Sequence, residues 1–268
     1  MPTANVVYFS VLNSSAAGVT LNSPLSVSGT VALGASGIVN TTATNLLTLG
    51  TATAAGTLTG GSATAFINGP FARSFATRAS AATYDLTTLF PVGKGGEYLP
   101  LNLAPTTTAA GVKLQAEAFN TNTGTVATLN VLGKKRWEVQ TLSGAADLTN
   151  VFVRETASPI TTTDVIAQAP SAAGLYTMTI PTTALAGSVT TTGAIAAADF
   201  TGFLSYSRPC VAPAEPTGTA TQSFCNAGTV ADLTATVSTG NTYVWYDAPT
   251  AGNLLLSTAA LTLSLIHI

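Results

Sequence analysis

What this chain has least of is charge. Nine Lys and Arg and eleven Asp and Glu make up 7% of its 268 residues, where an average soluble domain has about 25%. Carboxylates, imidazoles and amines carry most acid–base and nucleophilic chemistry, so the scarcity argues against most enzyme classes. Histidine is nearly absent: the single one, His267, lies in the last six residues. Without a histidine elsewhere, no Ser-His-Asp or Cys-His arrangement can be assembled. The two cysteines, Cys210 and Cys225, have no second pair beside them and form no CxxC motif, which argues against zinc and redox chemistry. Clustered Asp of the EF-hand kind is missing, and no metal or cofactor is expected. No basic stripe exists either. The densest positive run, Lys134, Lys135 and Arg136, reads as a solvated strand edge, so nucleic acid is not an expected partner.

Long apolar runs are also few. The N-terminus carries no positively charged n-region, and no run of about 18 apolar residues precedes the final stretch, Ala251 to Ile268. That stretch is not read as a membrane span. Its last six residues, LSLIHI, match the translation of a sequencing-transposon end, and 263–268 is expected to be an adapter remnant. What the chain does have is a 46% hydrophobic content, a mean hydropathy of +0.41, a net charge of −2 and an abundance of Thr, Ala, Gly, Ser and Val. That suffices for a core and favours short strands joined by tight turns. The expected fold class is all-β.

Three regions follow one another. In 1–69, "LSVSGTVALGASGIV", "NLLTLGTATAAGTLTGG" and "SATAFINGP" form a loose repeat, with apolar pairs Val31/Leu33 and Leu47/Leu49 and then Phe66 recurring about every 16 to 18 residues. The segment from Leu25 to Gly69 contains no charged side chain. Two readings stand, a few rungs of a β-solenoid or an ordinary meander. In 70–208 a period of two is clear: Val112, Leu114, Ala116 and Ala118 oppose Lys113, Gln115 and Glu117, and Trp137 and Val139 oppose Arg136, Glu138 and Gln140. Tyr176, Met178 and Ile180 likewise oppose Thr177 and Thr179. This predicts an antiparallel β-sandwich. A proline-rich linker over 209–216 leads to 217–262, where Val230, Asp232 and Thr234 alternate with Ala231, Leu233 and Ala235, and a strand holds Trp245. A cysteine followed by a strand tryptophan reads as the opening half of an Ig-like sandwich, with Trp245 and Leu233 poorly covered because the closing strands are missing.

Four segments carry a family resemblance: "FINGPFARSF", "LFPVGKGGEYLPLNL", "ADFTGFLSYS", and the run from Thr217 through Cys225 and Asp247 to Leu261. They resemble modules of very large exported surface proteins of Bacteroidota, in which β-strand repeats and a sandwich precede Ig-like modules, often secreted through the type IX system. The resemblance implies an extracellular or cell-surface location and a structural role, and it supplies no catalytic residue. In such Ig-like modules a second cysteine commonly lies further downstream. A disulfide between Cys210 and Cys225 is one alternative for this chain, and structural cysteines of an exported protein are the reading it favours.

The remaining candidates have plain alternatives. "FPVGKGGEY" has Gly93, Gly95 and Gly96 around Lys94, but a P-loop needs GxxxxGK[ST] opening a helix, so a hairpin turn is expected. Glu138 and Glu155 lie on separate expected strands and could approach as paired carboxylates, yet each alternates opposite apolar residues as a solvent-facing residue would. Tyr243, Trp245 and Tyr246 could form a sugar-stacking platform, although alternation puts Tyr243 and Trp245 on what reads as a core face. The expected role is a non-catalytic structural or adhesive segment of a secreted or surface-anchored protein. The alternative is a carbohydrate-binding module accessory to an enzyme elsewhere in the full protein. Expected partners are surface glycans or other extracellular modules, with no membrane insertion by this segment.

Overall fold

The computed structural model describes residues 5–13, 17–76, 86–105, 111–126, 130–144, 148–154, 160–177, 182–192, 195–196, 200–208, 217–218, 229–236, 244–248 and 251–255. The chain divides into two units, Met1–Cys210 and Val211–Ile268.

The first unit opens with eleven short strands: β1 (Asn5–Asn13), β2 (Val19–Thr20), β3 (Leu25–Ser36), β4 (Val39–Asn40), β5 (Leu47–Leu49), β6 (Thr57–Thr59), β7 (Ile67–Asn68), β8 (Phe71–Phe75), β9 (Leu89–Phe90), β10 (Val92–Lys94) and β11 (Glu97–Tyr98). They build two parallel ladders, β1-β3-β5-β8, with β6 also on β3, and β2-β4-β7-β10. Each coil gives one strand to each ladder, which is solenoid-like stacking and not a meander. Like stacks on like: Leu25 pairs with Leu47 and Leu47 with Phe71, while Val39 pairs with both Val19 and Ile67. Parallel in-register stacking of charged side chains would set like charges over one another, which fits the absence of charge from Leu25 to Gly69; Arg73, on β8, stacks on Leu49. Asn can stack because its amide is both donor and acceptor, and Asn68 Nδ2 donates to Asn40 Oδ1 at 2.8 Å.

Two expectations need correction. The repeat is not 16 to 18 residues long: register partners are separated by as little as Val19 to Val39 and as much as Val39 to Ile67. A coil must cross both ladders and turn between them, and its corners vary in length. Val31 and Leu33 therefore stack on Phe9 and Val11, with Leu58 beyond Val31, and not on Leu47 and Leu49. The stack also does not stop at Gly69. β8 pairs parallel with β5 on one side and antiparallel with the next part of the chain on the other, so one ten-stranded sheet runs across position 69–70.

The rest of the unit comprises β12 (Leu101–Pro105), β13 (Val112–Phe119), β14 (Thr125–Val126), β15 (Val131–Leu132), β16 (Arg136–Ser143), β17 (Leu148–Arg154), β18 (Val165–Ala169), β19 (Leu175–Tyr176), β20 (Thr182–Leu185), β21 (Ser188–Thr191) and β22 (Gly202–Arg208). The large sheet continues antiparallel as β8-β13-β16-β22-β15, with β18 on β22. A second antiparallel sheet has the order β20-β21-β17-β12-β9. One continuous apolar cluster joins the stack to both sheets, and the alternating faces fall as the period of two predicts except at Gln115, which is buried. Val112, Leu114, Ala116, Ala118, Trp137 and Val139 are buried, and Lys113, Glu117, Arg136 and Glu138 are only half-buried. Met178 and Ile180 lie outside the described residues. The Trp137 indole N–H donates to the Leu99 carbonyl at 2.8 Å, and Phe71 meets Phe90 edge-on with centroids 5.9 Å apart.

The second unit is described only in part. β23 (Trp245–Tyr246) pairs antiparallel with β24 (Leu254–Leu255), and Thr217 bridges Thr236. Val230–Asp232 is a 3₁₀ turn, not the strand its alternation suggests. The reason is a capping box: Asp232 Oδ2 accepts from the Thr229 backbone N–H at 2.7 Å and its hydroxyl at 2.9 Å. Trp245 and Leu233 are also better covered than expected, 6% and 9% exposed, because Val230, Ala235 and Leu255 pack around them.

Candidate functional site

The loop around Lys94 is a hairpin. Lys94 pairs with Glu97 and Gly93 with Tyr98, and the two residues between, Gly95 and Gly96, have φ of 60° and 86°. Two consecutive left-handed residues make the turn that glycine tolerates best, so this is turn chemistry and not a phosphate cradle. The Lys94 ammonium leaves the turn and reaches Glu117 Oε1 at 3.0 Å, 5.6 Å from the Phe119 ring centroid.

The run Lys134–Arg136 is not a solvated edge. Lys134 is exposed, but Lys135 is buried, and its ammonium pairs with Glu97. The Arg136 guanidinium carbon lies 4.3 Å from the Phe119 ring centroid and 5.8 Å from that of Phe203, and Nη1 donates to the Thr121 carbonyl. Alternation alone makes this difference: Lys135 follows the inward phase of Trp137, and Arg136 the outward one.

The register of β13 on β16 turns these residues into a pattern. On the face opposite the core, Gln115 stands across from Gln140, Glu117 from Glu138, and Phe119 from Arg136. β22 then brings Phe203 opposite Glu138. Gln140 Nε2 donates to Glu138 Oε1 at 2.6 Å. Beside the face, Tyr176 is buried against Ala167, Ala169 and the partly buried Phe203, and a side chain at Gly124 would collide with its ring. Burial pushes the Tyr176 phenol up to about 12, with the Arg136 charge pulling the other way, and its hydroxyl has no hydrogen-bond partner among the described residues.

Sequence reasoning paired Glu138 with Glu155, which lies outside the described residues. It missed Glu117 opposite Glu138. The signal was present in the equal phase of "LQAEAF" and "RWEVQ", but the long connection between the two strands hides their register. Among the C-terminal aromatic candidates, Trp245 is core and Tyr246 is 40% exposed on the other face, as alternation predicts. Tyr243, Cys210 and Cys225 lie outside the described residues.

Residues 213–267 match a family described as Ig-like domain CHU_C associated. No curated protein and no solved structure matches the chain. Among the described residues no helix is long and apolar enough to cross a membrane. The chain is thus all-β, with a solenoid-like stack and sandwich preceding a C-terminal Ig-like domain similar to that family.

Proposed function

We propose that this chain is a non-catalytic structural or adhesive segment of a large exported bacterial surface protein. The observation that carries the reading is the combination of a parallel stack without charge from Leu25 to Gly69, an antiparallel sheet continuous with it, and an Ig-like domain in one chain. Coils that stack in register lengthen a protein by repetition, and Ig-like modules commonly separate or present other parts. The sequence resemblance to Bacteroidota surface modules and the name of the matched family support an extracellular or cell-surface location. Scarce charge and the confinement of histidine to the last six residues support a role without catalysis. Other extracellular modules or surface glycans are the partners that fit.

The test is made on cells that produce the natural protein. An antibody raised against residues 25–208 should label intact cells, and external protease should remove the signal while a cytosolic marker survives. Labelling that requires permeabilised cells would overturn the location. Turnover of a polysaccharide, ester or peptide substrate above a denatured control, lost on Glu138→Gln, would overturn the non-catalytic role.

A further inference from the structure

We infer that the outward face of β13, β16 and β22 is a binding face for a neutral glycan, contacted by Glu138, Gln140, Arg136 and Phe203. The inference rests on the reading of the chain as a surface segment and gives its adhesive role a ligand class. The three facing rows contain two amides, two carboxylates, a guanidinium and an aromatic ring, with a second ring on β22. Planar polar groups of this kind accept from and donate to neighbouring hydroxyls in pairs, and ring faces pack against the C–H faces of a sugar. Alternate residues on a strand are about 6.8 Å apart, so three rows span about 14 Å, a length suited to a short run of sugar units.

Two observations separate this face from ordinary strand surface. The first is placement: in a chain with eleven acidic residues, Glu117 and Glu138 stand directly opposite one another. Like charges in that position destabilise a sheet. Lys94 offsets the charge of Glu117, whereas among the described residues Glu138 receives only the neutral Gln140 amide, which leaves a carboxylate oxygen for another donor. The second is reach. Gln140 is exposed, and Glu138, Arg136 and Phe203 are half-buried, so each keeps part of its surface open to solvent. Charge selects the ligand class. Lys94, Lys113 and Arg136 are interleaved with Glu117 and Glu138, so an anionic chain meets two carboxylates and a cationic one three positive groups. A polyhydroxylated neutral chain meets neither penalty.

Affinity electrophoresis of the full chain in gels containing xyloglucan, mannan or dextran, with polygalacturonate and alginate as acidic arms, tests the assignment. Retardation by at least one neutral polysaccharide is expected. Gln140→Ala and Phe203→Ala should each weaken it tenfold or more, with far-UV circular dichroism unchanged, and Tyr246→Ala should leave it alone. Glu138→Gln, which keeps the shape and removes the charge, should weaken it less than Glu138→Ala. Migration unaffected by every neutral polysaccharide overturns the inference, as does retardation by the acidic ones alone. Retardation insensitive to Gln140→Ala and Phe203→Ala, or abolished by Tyr246→Ala, overturns the placement. A protein that binds none of them and still labels intact cells loses the ligand and keeps the surface role.

Discussion

The parallel stack and the antiparallel sheet share one ten-stranded ladder, yet they are stabilised differently. In the stack, several register partners repeat the same kind of side chain, Leu25 under Leu47, Val39 under Ile67 and Asn40 under Asn68, and uncharged residues fill its coils as far as Gly69. Past β8 the strands reverse, and both like and unlike residues face one another: Gln115 stands across from Gln140, but Phe119 across from Arg136. From β8 onward charged groups appear, as Arg73 donating to the Leu89 carbonyl, Lys94 with Glu117, Lys135 with Glu97, and Arg136 between two rings. The few charges of this chain therefore begin at the strand where the ladder passes from parallel to antiparallel pairing, and polar chemistry collects beyond it.

The strongest way to break the comparison is to ask whether the two parts unfold together. Trp137→Ala in the antiparallel part removes a fully buried ring and its bond to Leu99, and Leu47→Ala opens a fully buried position in the stack. Each should cost about 3–5 and 2–5 kcal/mol respectively. Because one apolar cluster contains both residues, either change should lower the same single urea transition followed by far-UV circular dichroism. Two separated transitions in the Leu47→Ala variant would divide the stack from the sandwich.

A smaller effect appears in alkali and belongs to the sandwich alone. The Tyr176 phenol has an ordinary value of 10.0 and is pushed up to about 12 in the fold. A group raised in this way contributes fully below pH 10 and loses its contribution as pH climbs through about 12. Allowing for solvent screening, the difference corresponds to no more than about 2 kcal/mol. Urea midpoints of the wild type should fall between pH 9 and pH 12. Tyr176→Phe should flatten that fall while changing stability little at pH 7, since the hydroxyl lacks a partner among the described residues. A slope identical in wild type and Tyr176→Phe would mean that the buried phenol is not its source.

Much of this was legible in the sequence, for reasons that differ between regions. Alternation in "VKLQAEAF" and "RWEVQ" is a local property, and it correctly separated core from surface at Leu114, Ala116, Trp137 and Val139. Register is not local. The stacking of Leu25 on Leu47, and of Glu117 opposite Glu138, depends on corner and loop lengths that no period-two count contains. Local polar chemistry can also override alternation. "TVAD" reads as strand by its apolar positions, yet a Thr followed three residues later by Asp is a turn signature, and the side-chain bonds prevail at Val230. In the candidate site, the aromatic cluster near Trp245 was visible because its residues are adjacent in the chain. The Phe119, Arg136 and Phe203 cluster, drawn from three strands, was not.

The last and smallest effect distinguishes the Ig-like domain from the first unit, and it runs in the opposite pH direction. Asp232 is held below its ordinary 3.8 by the backbone N–H and hydroxyl of Thr229. Asp247 is lowered by the side-chain and backbone donors of Asn253, at 3.0 and 2.6 Å. A depressed carboxylate contributes above its unfolded value and loses that contribution as pH falls through its folded one. The domain should therefore be steady at neutral pH and weaken below about pH 4, where protonation opens the 3₁₀ turn that covers Leu233 and Trp245. Both carboxylates are solvent-exposed, so the loss should be modest and should shrink in high salt. The Trp245 fluorescence of a Trp137→Phe variant, followed from pH 6 to pH 2, reads this domain by itself. Asp232→Asn should lower the signal at pH 6 toward its acid value and reduce the remaining pH dependence. An acid transition of unchanged size and midpoint in the double variant Asp232→Asn, Asp247→Asn would place the acid sensitivity elsewhere in the domain.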